Sequence, residues 1–280
     1  IFSLVINDHL LVKTFSSMKP LTIISSTVRS HKGYFILFTL LAITGLNTKT
    51  ITAQTVPASG EEVLQMMFDH YSENGWYKNF TFWQQTSFYK EDSLVREQKW
   101  FEAISLPGKL VIKYDSINGR NGMLFRNNKI YRMADGKIAA VQKLVHTLLL
   151  AGFDVYFQPV KRTVHLLDSL GFDLTKVRQD EFLGRKVWVI GASIGDLQSQ
   201  QIWIDAERWY LHRIVYQMGN QVSMADLDEY KQLNGHWVAT RIRFYKDGHL
   251  TMKEIYKDIH FPSVLNEKLF LPENFAKTRW

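Results

Sequence analysis

Cysteine is absent from the 280 residues, which excludes disulfides, thiolate metal ligands and a cysteine for lipid attachment. No repeat of fixed period, no low-complexity tract and no linker rich in Pro, Gly or Ser follows residue 60. No stripe of one charge occurs either: basic residues alternate with acids, as in KWFE (99–102), DEFLGRK (180–186) and KEIYKD (253–258). That pattern excludes a nucleic-acid footprint. A Gly-rich phosphate-cradling loop is missing, and His146, His165, His212, His236, His249 and His260 show no His-Glu-x-x-His spacing, so neither a nucleotide nor a zinc site is expected.

One long apolar run is present, Tyr34–Leu46, YFILFTLLAITGL. It is too short for the roughly 20 residues a membrane-spanning helix needs. Lys19, Arg29 and Lys32 precede it and small polar residues follow, the layout of a secretory signal peptide. Cleavage is expected after Ala53, with the boundary at 53–55. The stretch before Met18 reads as upstream sequence, so residues 1–54 are set apart as leader and residues 55–280 are read as one exported domain. Residues 1–54 hold five Lys or Arg and one Asp, so the overall charge of +7 falls to +3 in the remainder. Aromatic residues make up 14% of the chain, which suits a wide sheet whose side chains fill large spaces or line an apolar hollow.

Ser59-Gly60-Glu61-Glu62 has capping-box spacing, and Val63, Met66, Met67, His70 and Tyr71 recur at helical intervals up to Gly75. A helix is predicted over about 60–74. From Asn79 the period becomes two, and turn signals at Lys90–Ser93, Pro107-Gly108, Asn118-Gly119, Asn127-Asn128 and Asp135-Gly136 divide about five antiparallel strands. Residues 138–153 return to helical spacing, and a further helix is expected at about 159–170, opening on Pro159 and closing before Gly171. Six more strands follow, and the tail LNEKLFLPENF reads as an edge segment or loop. The predicted class is α+β: a single strongly curved antiparallel sheet, an incomplete β-barrel of about 11 strands, with helices covering its concave side.

Gly191-Ala192-Ser193-Ile194-Gly195 matches the nucleophile-elbow pattern, but DLQSQQIWIDAE after it reads as a strand, whereas an elbow needs a helix there. A hairpin turn is the expectation, with a Ser193 esterase as the enzymatic alternative. Asp205 with Glu207, and Asp226 with Asp228, are expected to be solvated residues beside hairpin turns; His146 and His212 are expected in ordinary packing or surface positions. The leucine-rich segment at 138–153 is read either as core or as a plug over an apolar hollow, since curved sheets of this size commonly hold apolar ligands.

The leader, the first helix, the paired aromatic strands, the mid-chain helical lid, then KVWVIGAS, QIWIDAERWYLHRIVY and the closing EIYKDIHF together resemble the LolA/LolB/LppX-like superfamily, in particular outer-membrane lipoprotein-sorting proteins. The resemblance spans Glu61 to Phe270 and is most telling from Val187 to Tyr216. It implies a non-enzymatic periplasmic carrier that shelters the acyl chains of a lipoprotein or lipid on the way to the outer membrane. Each exposed methylene costs about 0.8 kcal/mol in water. Phe82, Phe88, Trp100, Ile112, Leu144, Leu148, Trp203 and Ile214 are the implied lipid-binding residues. No cofactor, metal or nucleic acid is implied; membrane-bound transport components are further implied partners. The family's Arg-Pro pair, whose Arg fastens the lid, is replaced by Leu106-Pro107. A non-catalytic structural subunit of an envelope complex is the remaining alternative.

Overall fold

The computed structural model describes residues 56–218 and 220–280. The leader segment, its Met18 start and the cleavage site at Ala53 lie outside the described residues.

Helix α1 (Gly60–Asn74) opens at Ser59, whose side chain accepts the Glu62 N–H. The Glu62 carboxylate reaches one residue further back than in the usual reciprocal box and accepts from Ala58 N at 2.7 Å. Six strands follow as a meander: β1 (Asn79–Lys90), β2 (Ser93–Ser105), β3 (Lys109–Tyr114), β4 (Gly122–Arg126), β5 (Lys129–Ala134) and β6 (Lys137–Lys143). Two short helices, α2 (Thr147–Gly152) and α3 (Val160–Ser169), are separated by a 3-10 turn at Asp154–Tyr156. The second half comprises β7 (Val177–Phe182), β8 (Arg185–Ile190), β9 (Gln201–Asp205), β10 (Leu211–Met218), β11 (Gln221–Asp228), the small hairpin β12 (Lys231–Leu233) and β13 (His236–Val238), β14 (Arg241–Lys246) and β15 (His249–His260).

Thirteen strands form one antiparallel sheet in the order β6-β5-β4-β3-β2-β1-β15-β14-β11-β10-β9-β8-β7. Pairing of β1 with β15 joins the two meanders, and β6 and β7 remain as edges, so the sheet is open. The predicted α+β class and single large sheet hold, with thirteen strands in that sheet where about 11 were expected and the β12–β13 hairpin as a separate pair. Both extra strands come from two-residue turns whose residues take positive φ, the geometry that folds a chain directly back on itself. Asp135 and Gly136 (φ 48° and 73°) return the chain along β5, and Leu183 and Gly184 (φ 50° and 75°) separate β7 from β8.

The first of these turns corrects the helix expected at 138–153. Residues 137–143 are an exposed edge strand in register with β5, and only Thr147–Gly152 is helical. The apolar spacing of Ile138 and Val141 therefore reports no buried helix face: both side chains are about half exposed.

Buried clusters form on both faces of the sheet. On the inner face, α1, α2 and α3 cover a cluster that includes Trp188, Ile202, Ile204, Ile214 and Ile242. A second inner cluster gathers Phe80, Phe82, Trp100, Ile104, Ile112 and Phe125. The C-terminal tail, expected at an edge or in a loop, forms 3-10 turns at Glu267–Phe270 and Pro272–Asn274. Their Leu269 and Phe270, with Phe275, pack on Ala103, Val111, Leu124 and Met133 of the outer face.

Candidate functional site

Helix α2 sits where the two inner clusters meet. Its first turn is capped by His146, whose Nδ1 accepts the Leu149 N–H at 3.1 Å, and burial pushes this imidazole down to about 4. Leu148, Leu150 and Ala151 join the cluster of the second meander, while Leu149 joins that of the first. Three consecutive leucines on a short helix thus point to both halves of the sheet. Trp76, Phe157 and Tyr256 pack against both clusters and complete the seam.

The residues expected to line a hollow divide by face. Phe82, Phe88, Trp100 and Ile112 come together in the inner cluster of the first meander, and Leu148 and Ile214 lie in that of the second meander. Phe82 stacks on Tyr256 with ring centres 4.1 Å apart, and Phe88 meets Trp100 at 5.9 Å. Leu144 is exposed and lines a cleft of about 370 Å³ that opens beside α2, together with Phe125, Leu149, Asp154, Phe157 and Leu166. Trp203 is on the opposite face from the one expected. On β9, Ile202 and Ile204 point inward, so Trp203 points outward and packs with Phe182, Val187 and Val189.

A hydrogen bond ties the segment after α2 to the turn between β2 and β3, beside Leu106. Leu106 itself is buried in the inner cluster. Two residues on, the Gly108 N–H donates to Asp154 Oδ1 at 2.7 Å. Asp154 is buried, and burial pushes its carboxyl up to about 7, opposed by the Gly108 N–H and by Arg162.

Sequence reasoning missed a polar group amid the aromatics. Glu102, Gln84, Thr86 and Glu254 are all buried. Gln84 Nε2 donates to Thr86 Oγ1 at 3.0 Å, while Gln84 Oε1 has no hydrogen-bond partner among the described residues. Burial raises the Glu102 pKa well above the ordinary carboxylate value, with Glu254 adding to the rise. Burial pushes Glu254 up to about 7, against the hydrogen bond with Gln84. The alternation of polar and apolar residues along β1, β2 and β15 gave no sign that these positions face inward, because facing depends on register.

Of the carboxylates expected to be solvated, Glu207 is exposed, whereas Asp205, Asp226 and Asp228 are buried in ion pairs on the outer face. Asp205 is fully buried and receives Arg185 Nη2 at 3.0 Å, His212 Nε2 at 3.1 Å and the N–H groups of Glu207 and Arg208. Burial alone would raise its pKa; those hydrogen bonds outweigh it and hold the carboxyl below the ordinary range. Arg213 grips Asp226 at 2.6 and 2.9 Å, Arg241 grips Asp228 at 2.6 and 3.0 Å, and Arg243 reaches Asp228 at 2.7 Å. The Arg213 and Arg241 forks engage both oxygens of Asp226 and of Asp228.

Ser193 is exposed in the connection between β8 and β9, and the next regular element is the strand β9, as expected for a hairpin connection. Among the described residues no cluster of His, Asp or Glu is arranged to hold a metal ion, and no helix is long and apolar enough to cross a membrane.

No protein-family model matches the chain, and no curated protein matches it. Solved structures do. A domain described as an outer membrane lipoprotein-sorting protein, from Vibrio parahaemolyticus, superimposes with a TM-score of 0.51 at 13% identity, covering 78% of this chain and 100% of that one. A LolA superfamily protein from Nitrosomonas europaea aligns with a TM-score of 0.49 at 10% identity over 77% of this chain and 98% of its own. A DUF1329 family protein from Desulfovibrio piger gives 0.49 at 10% identity over 75% and 95%. The first of these shows that the chain has the fold of a lipoprotein-sorting domain, which bears out at the level of fold the resemblance carried by the residues.

Proposed function

We propose that the domain is a periplasmic carrier that shields the acyl chains of a lipid or lipoprotein on the way to the outer membrane. The observation that carries this reading is the wedge of Leu148, Leu149 and Leu150 between the two aromatic halves of the inner face, with a cleft opening beside it. Helix α2 is held by apolar contacts, with the Gly108–Asp154 hydrogen bond tethering the turn after it, so its displacement gives up about 1.5–3 kcal/mol of burial per leucine, which the cargo must replace. Displacing it uncovers Phe82, Phe88, Trp100, Ile112 and Ile214, and a hydrocarbon chain entering past Leu144 regains the lost apolar burial. Trp203, on the outer face, is left out of this set. Membrane-bound components that load and receive the cargo belong to the same reading.

The test is mass spectrometry of organic extracts from protein isolated natively, joined to binding of an uncharged fluorescent hydrophobic probe. Lipid in the extract and probe binding that Leu144→Glu weakens at least about tenfold are expected. Leu144 is exposed, so this variant should fold. An empty extract and no probe binding would defeat the proposal.

A further inference from the structure

The cleft beside α2 carries a charge asymmetry that shelter for acyl chains does not by itself require. Lys109, Arg126, Lys129 and Arg162 border it against a single carboxylate, Asp154. Its one histidine, His146, is held neutral near pH 7 by burial. Lys109 pairs with Glu267 at 2.5 Å, and Arg126 donates to the Phe270 carbonyl at 3.2 Å. The side chains of Lys129 and Arg162 form no ion pair among the described residues. Arg162 acts on Asp154 without a salt bridge, and Asp154, pushed up to about 7 by burial, offers only a partial negative charge at neutral pH. Below this rim the floor is apolar, with Leu149 and Phe157 in the lining. A basic rim over an apolar floor complements an anion attached to a hydrocarbon chain, and guanidinium forks match carboxylate and phosphate oxygens. An uncharged head gains nothing from the rim, and a free anion leaves the floor empty. The volume of about 370 Å³ is within the range of small-molecule sites.

We propose that this cleft takes the anionic head of the cargo, a carboxylate or phosphate joined to a hydrocarbon chain, with Arg162 and Lys129 on the head and Leu149 and Phe157 beneath the first part of the chain. The inference rests on the carrier reading for where the rest of the chain goes.

Displacement of the uncharged probe from the full exported domain by dodecanoate, dodecyl phosphate, dodecanol, dodecylamine and inorganic phosphate tests it. The two anionic chains should bind about tenfold more tightly than dodecanol or dodecylamine, the scale of a hydrogen bond to a charged group. In Arg162→Gln/Lys129→Gln that preference should disappear. Both side chains are at the cleft rim, and circular dichroism with a melting curve establishes that the variant is folded. Equal binding of all four chains overturns the head-group assignment and leaves the carrier reading intact. Inorganic phosphate displacing the probe as strongly as dodecyl phosphate also overturns it, in favour of a small-anion site. Failure of every chain to bind overturns both.

Discussion

Glu102 and Glu254 flank β1 on the inner face of the sheet, Glu102 across from Phe82 and Glu254 across from Thr86, with Gln84 between those two positions. Burial disfavours the charged form of both carboxyls, and the charge of Glu254 adds to the cost at Glu102, so the folded protein holds at least one proton that the unfolded chain releases. The folded pKa of Glu254, about 7, is above its ordinary value of 4.5. Its contribution is therefore fully present below about pH 4.5 and is lost as pH rises through 7. Chemical denaturation at pH 5 and pH 8 should show lower stability at pH 8, by up to about 3 kcal/mol from this group. Glu254→Gln, which cannot ionise, should flatten that slope. A wild-type stability that rises from pH 5 to pH 8, with no change in slope in the variant, contradicts the assignment.

The hydrogen bond from Gly108 to Asp154 joins the β2–β3 turn to the segment after α2. Asp154→Ala should remove it and leave the Gly108 N–H without its acceptor, a loss of about 1–3 kcal/mol. The effect should be local. Hydrogen exchange is expected to quicken at residues 106–108 and 146–157 and to stay unchanged in β9–β11, whereas Asp154→Asn, which keeps an acceptor oxygen, should remain close to the parent. Uniform acceleration across the sheet would mean that Asp154 supports the whole fold rather than α2 and the turn that follows it.

The outer face predicts the opposite limb of the pH profile. Asp205 is held ionised by Arg185, His212 and two backbone N–H groups, so its stabilisation is present above its ordinary pKa of 3.8 and lost as pH falls below it. Asp205→Ala leaves His212 and the two N–H groups without their acceptor while Arg185 keeps Glu207, and each polar group left unsatisfied costs about 1–3 kcal/mol. The melting temperature should drop sharply at pH 7 and the difference should shrink at pH 3. An unchanged melting temperature at pH 7 counts against a structural role for this residue.

Turn chemistry made most of the fold legible in the sequence. Asn127-Asn128 and Asp135-Gly136 each mark a sharp reversal that the structure contains, and Ser59 with Glu62 marks the start of α1. The miss at 138–143 has the same origin read the other way: the Asp135-Gly136 reversal commits the next residues to pairing with β5, and this tertiary contact overrides the helical spacing of Ile138 and Val141. Facing was not legible. Trp203 and Ile214 are on adjacent strands and on opposite faces, and a bulge between Leu211 and Arg213 shifts the pairing of β10 with β9. The buried acids escaped for a related reason, since Asp205 beside a turn reads as solvated until Arg185 is brought against it from β8.

Phe88 and Trp203 separate binding from stability. Phe88 is half-buried at the inner aromatic cluster, with Arg96 above its ring at 4.1 Å; Trp203 is buried on the outer face, with the guanidiniums of Arg178 and Arg213 within 5.6 and 5.2 Å of its ring. Truncating a buried Trp costs about 3–5 kcal/mol, so Trp203→Ala should lower stability strongly, and the milder Trp203→Phe less. Neither the inner cluster nor the cleft contains Trp203, so Trp203→Phe should bind the uncharged probe as the parent does. Phe88→Ser should show the reverse, a smaller stability loss because the ring is only half-buried, with several-fold weaker probe binding because an inner-face ring is gone. Titration of the probe into each folded variant, alongside its melting curve, measures both. If Trp203→Phe weakened binding while Phe88→Ser did not, the cargo would have to contact the outer face, and the inner face would be simply core.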